Sequence, residues 1–147
     1  MTRNQFLQTT LFATLAAKLT AAGPQMKVYK TPTCGCCGKW VDHLRAAGFE
    51  VSVQNVDDTS EYRTKAGIPS TLASCHTGFV EGYGIEGHVP AAEIQRLLKN
   101  RPKAKGLAVP GMPMGSPGME APRAQPYSVI LVDAEGRPSV YQSYPKP

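Results

Sequence analysis

The chain has 147 residues, of which 41% are hydrophobic and 18% are charged, and its formal net charge is +5. A chain of this length suits one small domain, and its composition is not that of a disordered or collagen-like protein. No stretch reaches the ~20 continuous apolar residues of a transmembrane helix. Only 7% of the residues are aromatic, and no run interleaves them with basic residues, so nucleic-acid binding is not indicated. The four cysteines and five methionines are the unusual feature.

The first 23 residues resemble an export signal. Arg3 is followed by a mildly apolar segment, and small residues precede the Gly-Pro pair that ends the region. Threonines dilute the apolar segment and Lys18 lies at its C-terminal flank, so an ordinary N-terminal helix is the alternative. We expect residues 1–23 to be a signal peptide and residues 24–147 to form one domain that is not inserted in the membrane after processing.

Strand and helix patterns alternate from Met26 to about residue 100. Apolar residues after the turn at 32–38 recur at helical spacing until Gly48, and Pro90 is typical of a helix start. In chain order, the patterns predict a strand at 26–29, a helix ending at Gly48, a strand at 49–56, a short helix ending at Gly67, a hairpin of strands 71–76 and 79–83, and a helix that Pro90 opens. This β-α-β-α-β-β-α order of the α/β class is the thioredoxin-like arrangement.

Pro69 lies where thioredoxin-like folds often place a cis proline. A cis bond between Ile68 and Pro69 would turn the chain back toward the cysteine motif. We therefore expect this bond to be cis.

The last third of the chain has a different composition. Residues 101–126 contain proline at six of 26 positions, together with several Met and Gly, and have no sustained periodicity. They predict a long Met/Pro/Gly-rich loop. Residues 127–132 and 139–144 are strand-like and flank a turn that contains Gly136, so residues 127–144 predict a C-terminal β-hairpin.

Three cysteines lie within four residues at the predicted start of the first helix. If Cys36 and Cys37 occupy the first helical turn, the helix N-terminus favours their thiolates, the form that binds metal or attacks a disulfide. Helical spacing to later apolar residues places Cys37 inward and leaves Cys34 more exposed. The fourth cysteine, Cys75, ends a predicted strand.

Three uses of these thiols remain open. A pair of structural disulfides allows three connectivities, of which Cys34–Cys37 with Cys36–Cys75 is the least strained. A Cys-x-x-Cys sequence at a strand-to-helix turn is also typical of thiol-disulfide oxidoreductases, but Cys36 adds a third thiol to the pair. The third use is a soft-metal site, because thiolates and thioethers together select Cu(I).

Three methionines supply thioethers for such a metal site. Met112, Met114 and Met119 lie among glycines and prolines, at a spacing that fits neither a helical stripe nor a strand face. The alternative is that they fill gaps in the packing. We expect them to ligate or to cover the metal.

The three histidines differ in what their positions predict. His76 is a candidate ligand, provided that the strand ends or bulges there, because neighbouring strand residues point to opposite faces. His43 is two helical turns from Cys36, which is too far for a shared metal, so we expect it on a solvated helix face. We expect His88 to be a capping or loop residue.

Four motifs in order resemble the CopG-type copper-resistance proteins, a bacterial family of small exported metal-binding proteins with a thioredoxin-like fold. The resemblance extends over about residues 26–144. The motifs are Thr-Pro-Thr-Cys-Gly-Cys-Cys-Gly-Lys-Trp at 31–40, Ser-Cys-His-Thr at 74–77, Gly-Tyr-Gly-Ile-Glu-Gly-His-Val-Pro-Ala at 82–91 and Gly-Leu-Ala-Val-Pro-Gly-Met-Pro-Met-Gly-Ser-Pro-Gly-Met-Glu at 106–120.

The resemblance implies a periplasmic protein that binds several Cu(I) ions through bridging cysteine thiolates and contributes to copper resistance. It also implies interconversion of Cu(I) and Cu(II), which leaves a copper oxidoreductase activity open. We expect copper ions and other periplasmic copper-handling proteins as partners. A thiol-disulfide oxidoreductase and a Cu(I) chaperone are the alternatives. Carried over by position, the metal-binding residues are Cys34, Cys36, Cys37, Cys75, Met112, Met114 and Met119.

Overall fold

The computed structural model describes residues 21–147, which contain seven strands and three α-helices. The predicted export signal lies almost entirely outside these residues. The helices are α1 (Gly35–Ala46), α2 (Ser60–Ala66) and α3 (Ala91–Asn100), with a 3₁₀ turn at Ser70–Leu72. The strands are β1 (Gln25–Lys30), β2 (Glu50–Asn55), β3 (His76–Val80), β4 (Tyr83–Glu86), β5 (Ala104–Ala108), β6 (Tyr127–Asp133) and β7 (Pro138–Tyr144). None of the helices in the described range has the length and hydropathy to cross a bilayer.

The seven strands form one sheet in the order β2-β1-β3-β4-β5-β6-β7. Two neighbouring pairs, β1 with β2 and β4 with β5, are parallel, and the others are antiparallel. In register, Lys30 is paired with His76, Thr77 with Glu86, and Glu86 with Ala108. Strands β1, β4 and β5 therefore end at the sheet edge where β3 begins, and we call this the cysteine edge.

The mixed α/β class is confirmed, and the first seven elements follow the predicted order. The C-terminal hairpin is also present, as β6 and β7. The earlier hairpin, formed by β3 and β4, is present, but its strands lie further along the chain than expected. Their predicted ranges, 71–76 and 79–83, are wrong, since residues 70–72 form the 3₁₀ turn.

The glycines explain this difference. The sequence pattern favours Gly78 as a turn residue, but Gly78 lies inside β3, where a Cβ atom would collide with the end of the Met26 side chain. The turn is made instead by Glu81 and Gly82, which both have positive φ angles, of 45° and 88°. The sequence alone does not distinguish a glycine that is required by close packing within a strand from a glycine that forms a turn.

Two further expectations are corrected by the structure. The segment 101–126 is not a loop throughout, because β5 fills the gap between β4 and β6, and its Gly106 lies against the backbone of Gly84. The Ile68–Pro69 bond is trans, since the cis bond among the described residues is Tyr144–Pro145. Pro69 instead precedes the 3₁₀ turn, whose Leu72 N–H donates to the Pro69 carbonyl at 2.9 Å.

The larger core lies between the sheet and helices α1 and α3. Trp40 and Leu44 of α1 and Ile94 of α3 are fully buried there, together with strand residues such as Val28 and Ile85. The Trp40 indole N–H donates to the carbonyl of Val89 at 2.8 Å, so this large side chain satisfies its polar atom. This packing fixes α1, and with it the cysteine motif at its N-terminus, against the cysteine edge.

A buried carboxylate connects α2, β4 and the chain before β3. Glu86 is fully buried and accepts hydrogen bonds from Arg63 Nε and the Ser74 N–H, both at 2.8 Å, and from Thr77 Oγ1 at 2.6 Å. Both carboxylate oxygens therefore have hydrogen-bond donors: Oε1 has the Arg63 cation and the Ser74 N–H, and Oε2 has the Thr77 hydroxyl. A buried charge with this many partners holds its neighbours in one arrangement, because the charge has no alternative partner in the core.

We predict that Glu86→Gln lowers the free energy of unfolding by about 3 kcal/mol, because it leaves the Arg63 guanidinium near a neutral group in a buried site. Glu61→Gln is the matched control, since Glu61 pairs with Lys65 on an exposed face and its loss should change stability by less than ~0.5 kcal/mol. Urea unfolding of both variants provides the measurement. Equal values for the two would show that the Glu86 network is not a structural determinant.

Candidate metal centre

The cysteine motif lies at the point where β1 turns into α1. The turn is closed by the Cys34 N–H, which donates to the Thr31 carbonyl at 3.2 Å, and Cys34 is the residue that caps the helix. Cys36 and Cys37 occupy the first helical turn, as predicted. Cys37 is fully buried and Cys34 and Cys36 are partly buried, which agrees with the inward direction expected for Cys37.

Four sulfur atoms meet at this end of α1. The Sγ atoms of Cys34, Cys36, Cys37 and Cys75 all lie within 4.8 Å of one another, and Cys34 Sγ is 3.5 Å from Cys36 Sγ. Cys34 and Cys37 form a disulfide, whereas Cys36 and Cys75 are free thiols. The structure therefore brings together all four predicted cysteines and shows the motif in its oxidised form.

A second group of four donors overlaps with the first. The ligand atoms of Cys37, Cys75, His76 and His88 also lie within 4.8 Å of one another. His76 Nδ1 is 3.2 Å from Cys37 Sγ and 3.3 Å from Cys75 Sγ, and His88 Nε2 is 3.4 Å from Cys75 Sγ. Cys37 and Cys75 belong to both groups.

His76 reaches the site because β3 begins there. Cys75 precedes the first residue of the strand, so the alternation that separates neighbouring side chains does not yet apply. The ring packs against Trp40, with 4.2 Å between the ring centroids, and its Nε2 is 2.9 Å from the Gly87 carbonyl. That carbonyl can only accept, so Nε2 carries the proton and the Nδ1 lone pair faces the sulfur atoms.

His88 lies in the connection between β4 and α3, as expected for a loop residue, but its exclusion from the candidate ligands is wrong, because it belongs to the second donor group. His88 is fully buried between β4 and α3, and its Nδ1 lies 3.5 Å from Ser116 Oγ while Nε2 faces Cys75. The signal for this position was in the topology. A residue that follows β4 arrives at the same sheet edge as one that follows β1 or precedes β3, and this cannot be read without the strand order.

The prediction for His43 is also wrong. The side chain is half-buried rather than solvated, and its Nε2 accepts a hydrogen bond from the Ala91 N–H at 3.0 Å, at the start of α3. His43 thus satisfies one of the unpaired donors of a helix N-terminus. It links α1 to α3 and lies outside both donor groups.

Burial keeps the second donor group neutral. It lowers the pKa of His76 to about 3, with the neighbouring His88 as a further cause, and it also lowers the pKa of His88. Burial raises the pKa of the Cys75 thiol to about 11. At neutral pH the two imidazoles are therefore uncharged, which is the form that binds a metal, while Cys75 must lose a proton when a metal binds.

Of the three loop methionines, Met112 lies next to the cysteines. Its Sδ is 3.7 Å from Cys36 Sγ, and half of the residue is exposed. Met114 is 44% exposed and Met119 is partly buried, and within the described residues neither makes such a contact with a cysteine. The structure thus places one thioether at the cysteine site and two further along the loop.

Gly118 lets the loop that contains the three methionines, residues 112–119, pack directly against α1. It has a φ of +92°, and a Cβ atom there would lie 2.7 Å from the Cys36 carbonyl oxygen and 3.0 Å from the Trp40 nitrogen. The Gly118 N–H donates to Glu120 Oε1 at 2.9 Å, and Ser116 Oγ donates to the Pro113 carbonyl at 2.6 Å. The loop is therefore ordered by local hydrogen bonds and by a contact that only glycine allows.

Comparisons with known proteins give consistent results. A family model described as "Protein of unknown function, DUF411" matches residues 72–119. A solved structure of "Copper resistance protein copG", Form 1, is 43% identical, with a TM-score of 0.78 and coverage of 82% of this chain and 97% of that chain. Form 2 is also 43% identical, with a TM-score of 0.80 and coverage of 84% and 99%. No curated protein matches the chain.

We predict that Gly118→Ala lowers the free energy of unfolding by about 2 kcal/mol more than Gly136→Ala does, because the added methyl meets backbone atoms of α1 that cannot move aside. Gly136 is the matched control, since its φ is +84° and nothing lies within 4 Å of its Cβ position. It should show only the backbone penalty of about 1 kcal/mol. Thermal or urea unfolding measures both, and equal losses would contradict the proposed contact with α1.

We also predict that the metal-free chain loses stability as the pH falls below about 6.5, the ordinary pKa of histidine. Since the pKa of His76 is lowered to about 3 in the folded chain, the unfolded chain takes up this proton first, and the contribution of His76 is lost progressively from pH 6.5 downward. The slope from one such group is at most about 1.4 kcal/mol per pH unit. Urea unfolding between about pH 7 and pH 5 should give a smaller slope for His76→Gln than for the unsubstituted chain. Identical slopes would show that His76 is not held neutral.

Proposed function

Since the chain belongs to the CopG family of copper resistance proteins, we propose that it binds several Cu(I) ions in a cluster bridged by cysteine thiolates and so contributes to copper tolerance. One observation carries the proposal: two groups of four donor atoms share Cys37 and Cys75. A thiolate sulfur has more than one lone pair, so a shared cysteine is suited to bridge two metal ions.

The chemistry of the donor set supports copper. Thiolate and thioether sulfur are soft ligands that favour Cu(I), and imidazole is a good ligand for copper as well. In the reduced site, four thiolates without metal would repel one another in a partly buried space. Several monovalent ions neutralise this charge better than one ion, which favours a multinuclear cluster.

The residues have distinct roles in this proposal. Cys34, Cys36, Cys37 and Cys75 hold the cluster, and His76 and His88 add nitrogen ligands on its buried side. The two histidines are oriented by groups that do not themselves bind the metal. The Gly87 carbonyl accepts a hydrogen bond from His76 Nε2, and Ser116 Oγ lies beside His88 Nδ1. Cys36 and Cys75 are free thiols, whereas Cys34 and Cys37 become available to Cu(I) only after a reductant opens their disulfide.

The methionines extend this site toward solvent. Met112, next to Cys36 and half exposed, is the ligand that first meets an incoming ion, and Met114 and Met119 continue the path along the loop. Thioethers release Cu(I) more readily than thiolates do, so this exposed sulfur also supports the alternative role of a Cu(I) chaperone. The mixture of sulfur and nitrogen ligands accommodates both Cu(I) and Cu(II), which supports interconversion of the two states.

We also propose a thioredoxin-like fold and a periplasmic location for this protein. Strand order β2-β1-β3-β4, with β1 and β2 parallel and β3 antiparallel to both of its neighbours, supports a thioredoxin-like arrangement within a single domain of residues 24–147. We place the mature protein in the periplasm after removal of residues 1–23, where other copper-handling proteins are its partners.

A thiol-disulfide oxidoreductase is the second candidate. The observation that favours it is the Cys34–Cys37 disulfide at the N-terminus of α1, with the first cysteine partly exposed and the second buried. This candidate gives no role to the free thiols of Cys36 and Cys75 or to the two buried histidines. Copper binding accounts for all six side chains.

We predict that the fully reduced chain, loaded anaerobically with Cu(I) and desalted against a competing chelator, retains several copper ions. Cys36→Ser should lower this number by more than one ion, because removal of a bridge affects each ion that it joins. Cys75→Ser should lower it at least as much, since Cys75 belongs to both donor groups. Elemental analysis per chain is the measurement, and the exposed variant Glu61→Gln is the control, which should keep the full number.

Two outcomes would contradict the proposal. If the unsubstituted chain retains no copper, the metal function fails and the oxidoreductase becomes the leading candidate. If Cys36→Ser retains the full number of ions, Cys36 is not a bridge.

A further inference from the structure

Two free thiols lie side by side next to the Cys34–Cys37 disulfide. The Sγ atoms of Cys36 and Cys75 are within 4.8 Å of each other, although the two residues are far apart in the sequence. One comes from the first turn of α1 and the other from the segment before β3. The gap between the two sulfur atoms is within the range of a side-chain rotation.

The two thiols, Cys36 and Cys75, have different surroundings. Cys75 is held in place, because Ser74 Oγ contacts its sulfur at 3.7 Å and also donates to the Gly111 carbonyl at 2.5 Å, and the Ser74 N–H donates to Glu86. Cys36 is partly exposed, and its sulfur lies 3.7 Å from Met112 Sδ and 3.5 Å from Cys34 Sγ. Cys36 is therefore the thiol that a reagent meets first and the one that moves.

Other partners for Cys36 are less favourable. A bond to Cys37 would be a strained vicinal disulfide, and a bond to Cys34 would close a very small ring. Both of those sulfur atoms are also already paired with each other. Cys75 remains as the neighbouring free thiol, and a bond to it leaves the Cys34–Cys37 disulfide unchanged.

We propose that Cys36 and Cys75 form a second disulfide when the metal-free chain is oxidised, so that the fully oxidised site contains two disulfides. The new bond joins α1 to the start of β3 across the cysteine edge. Its consequence for metal rests on the proposed function: with all four sulfur atoms paired, the site has no thiolate to offer to Cu(I).

The reaction is balanced with a small-molecule disulfide such as oxidised glutathione as the oxidant. The Cys36 thiolate attacks one sulfur of glutathione disulfide, which forms a mixed disulfide and releases one glutathione thiolate. The Cys75 sulfur then attacks the Cys36 sulfur, loses its proton to solvent and releases the second glutathione. Two thiols lose two electrons, and one glutathione disulfide gains them.

The test uses the full chain without metal, treated with oxidised glutathione, then alkylated, digested without reduction and mapped by mass spectrometry. We expect a peptide that contains a Cys36–Cys75 bond and almost complete loss of alkylation at both positions. Cys36→Ser and Cys75→Ser are the matched controls, and in each the remaining thiol should be alkylated or carry glutathione. The unsubstituted chain alone gives the decisive result if a variant does not fold.

Three results would overturn the proposal: alkylation of Cys36 and Cys75 at the same level as before oxidation, a bond between Cys36 and Cys34 or Cys37, or a bond between two chains through Cys36. Copper loading of the oxidised and the reduced chain separates this inference from the proposed function. If the Cys36–Cys75 bond forms and only the reduced chain retains copper, both hold. If neither retains copper but the Cys36–Cys75 bond forms, the disulfide stands and the copper function fails. If the oxidised chain with both bonds still retains copper, its claimed effect on metal binding fails.

Discussion

The position of Cys75 depends on a buried carboxylate four residues from the turn into α3. Glu86 has no solvent to stabilise its charge, so its energy depends on the three donors that surround it. Two of them, the Ser74 N–H and Thr77 Oγ1, flank Cys75, and the third is Arg63 of α2. The Ser74 N–H cannot leave Glu86 without stranding an acceptor in the core. Cys75, on a loop, is therefore held in position by the hydrogen bond from the preceding residue, Ser74, to the Arg63–Glu86 ion pair. The positions of both donor groups depend on this contact.

The second constraint is the direction of the strands. Since β1, β4 and β5 end where β3 begins, the segments that follow or precede them converge at one edge. Cys36 and Met112 meet there although they are 76 residues apart in the chain. Each segment contributes a different donor: thiols after β1, a thiol and an imidazole before β3, an imidazole after β4 and a thioether after β5. The site is a consequence of topology, because no single motif contains it.

This also explains how much could be predicted from the sequence. Local signals identified the cysteine turn, the inward direction of Cys37 and the C-terminal hairpin, because each depends on residues that are close in the chain. They did not identify β5 or the turn at Gly82, since the packing role of Gly78 and the place of Gly106 beside Gly84 are set by other strands. For the same reason, the sequence predicts a solvated face for His43 and only a capping or loop role for His88. Their neighbours lie on elements distant in sequence, and burial of a histidine is decided by those neighbours.

Electroneutrality connects the chemistry of the site to its burial. In the structure, the two histidines are neutral because burial lowers their pKa values, Cys75 is protonated because burial raises its pKa, and Cys34 and Cys37 are uncharged as a disulfide. The negative charge of a buried thiolate is poorly stabilised by water. Protonation, formation of a disulfide and binding of a monovalent metal ion are three ways to remove it. In the proposed function, binding of Cu(I) by all four cysteines therefore releases protons and requires prior reduction of the Cys34–Cys37 disulfide. A site built from these residues is sensitive both to pH and to the redox state of its surroundings before any copper arrives.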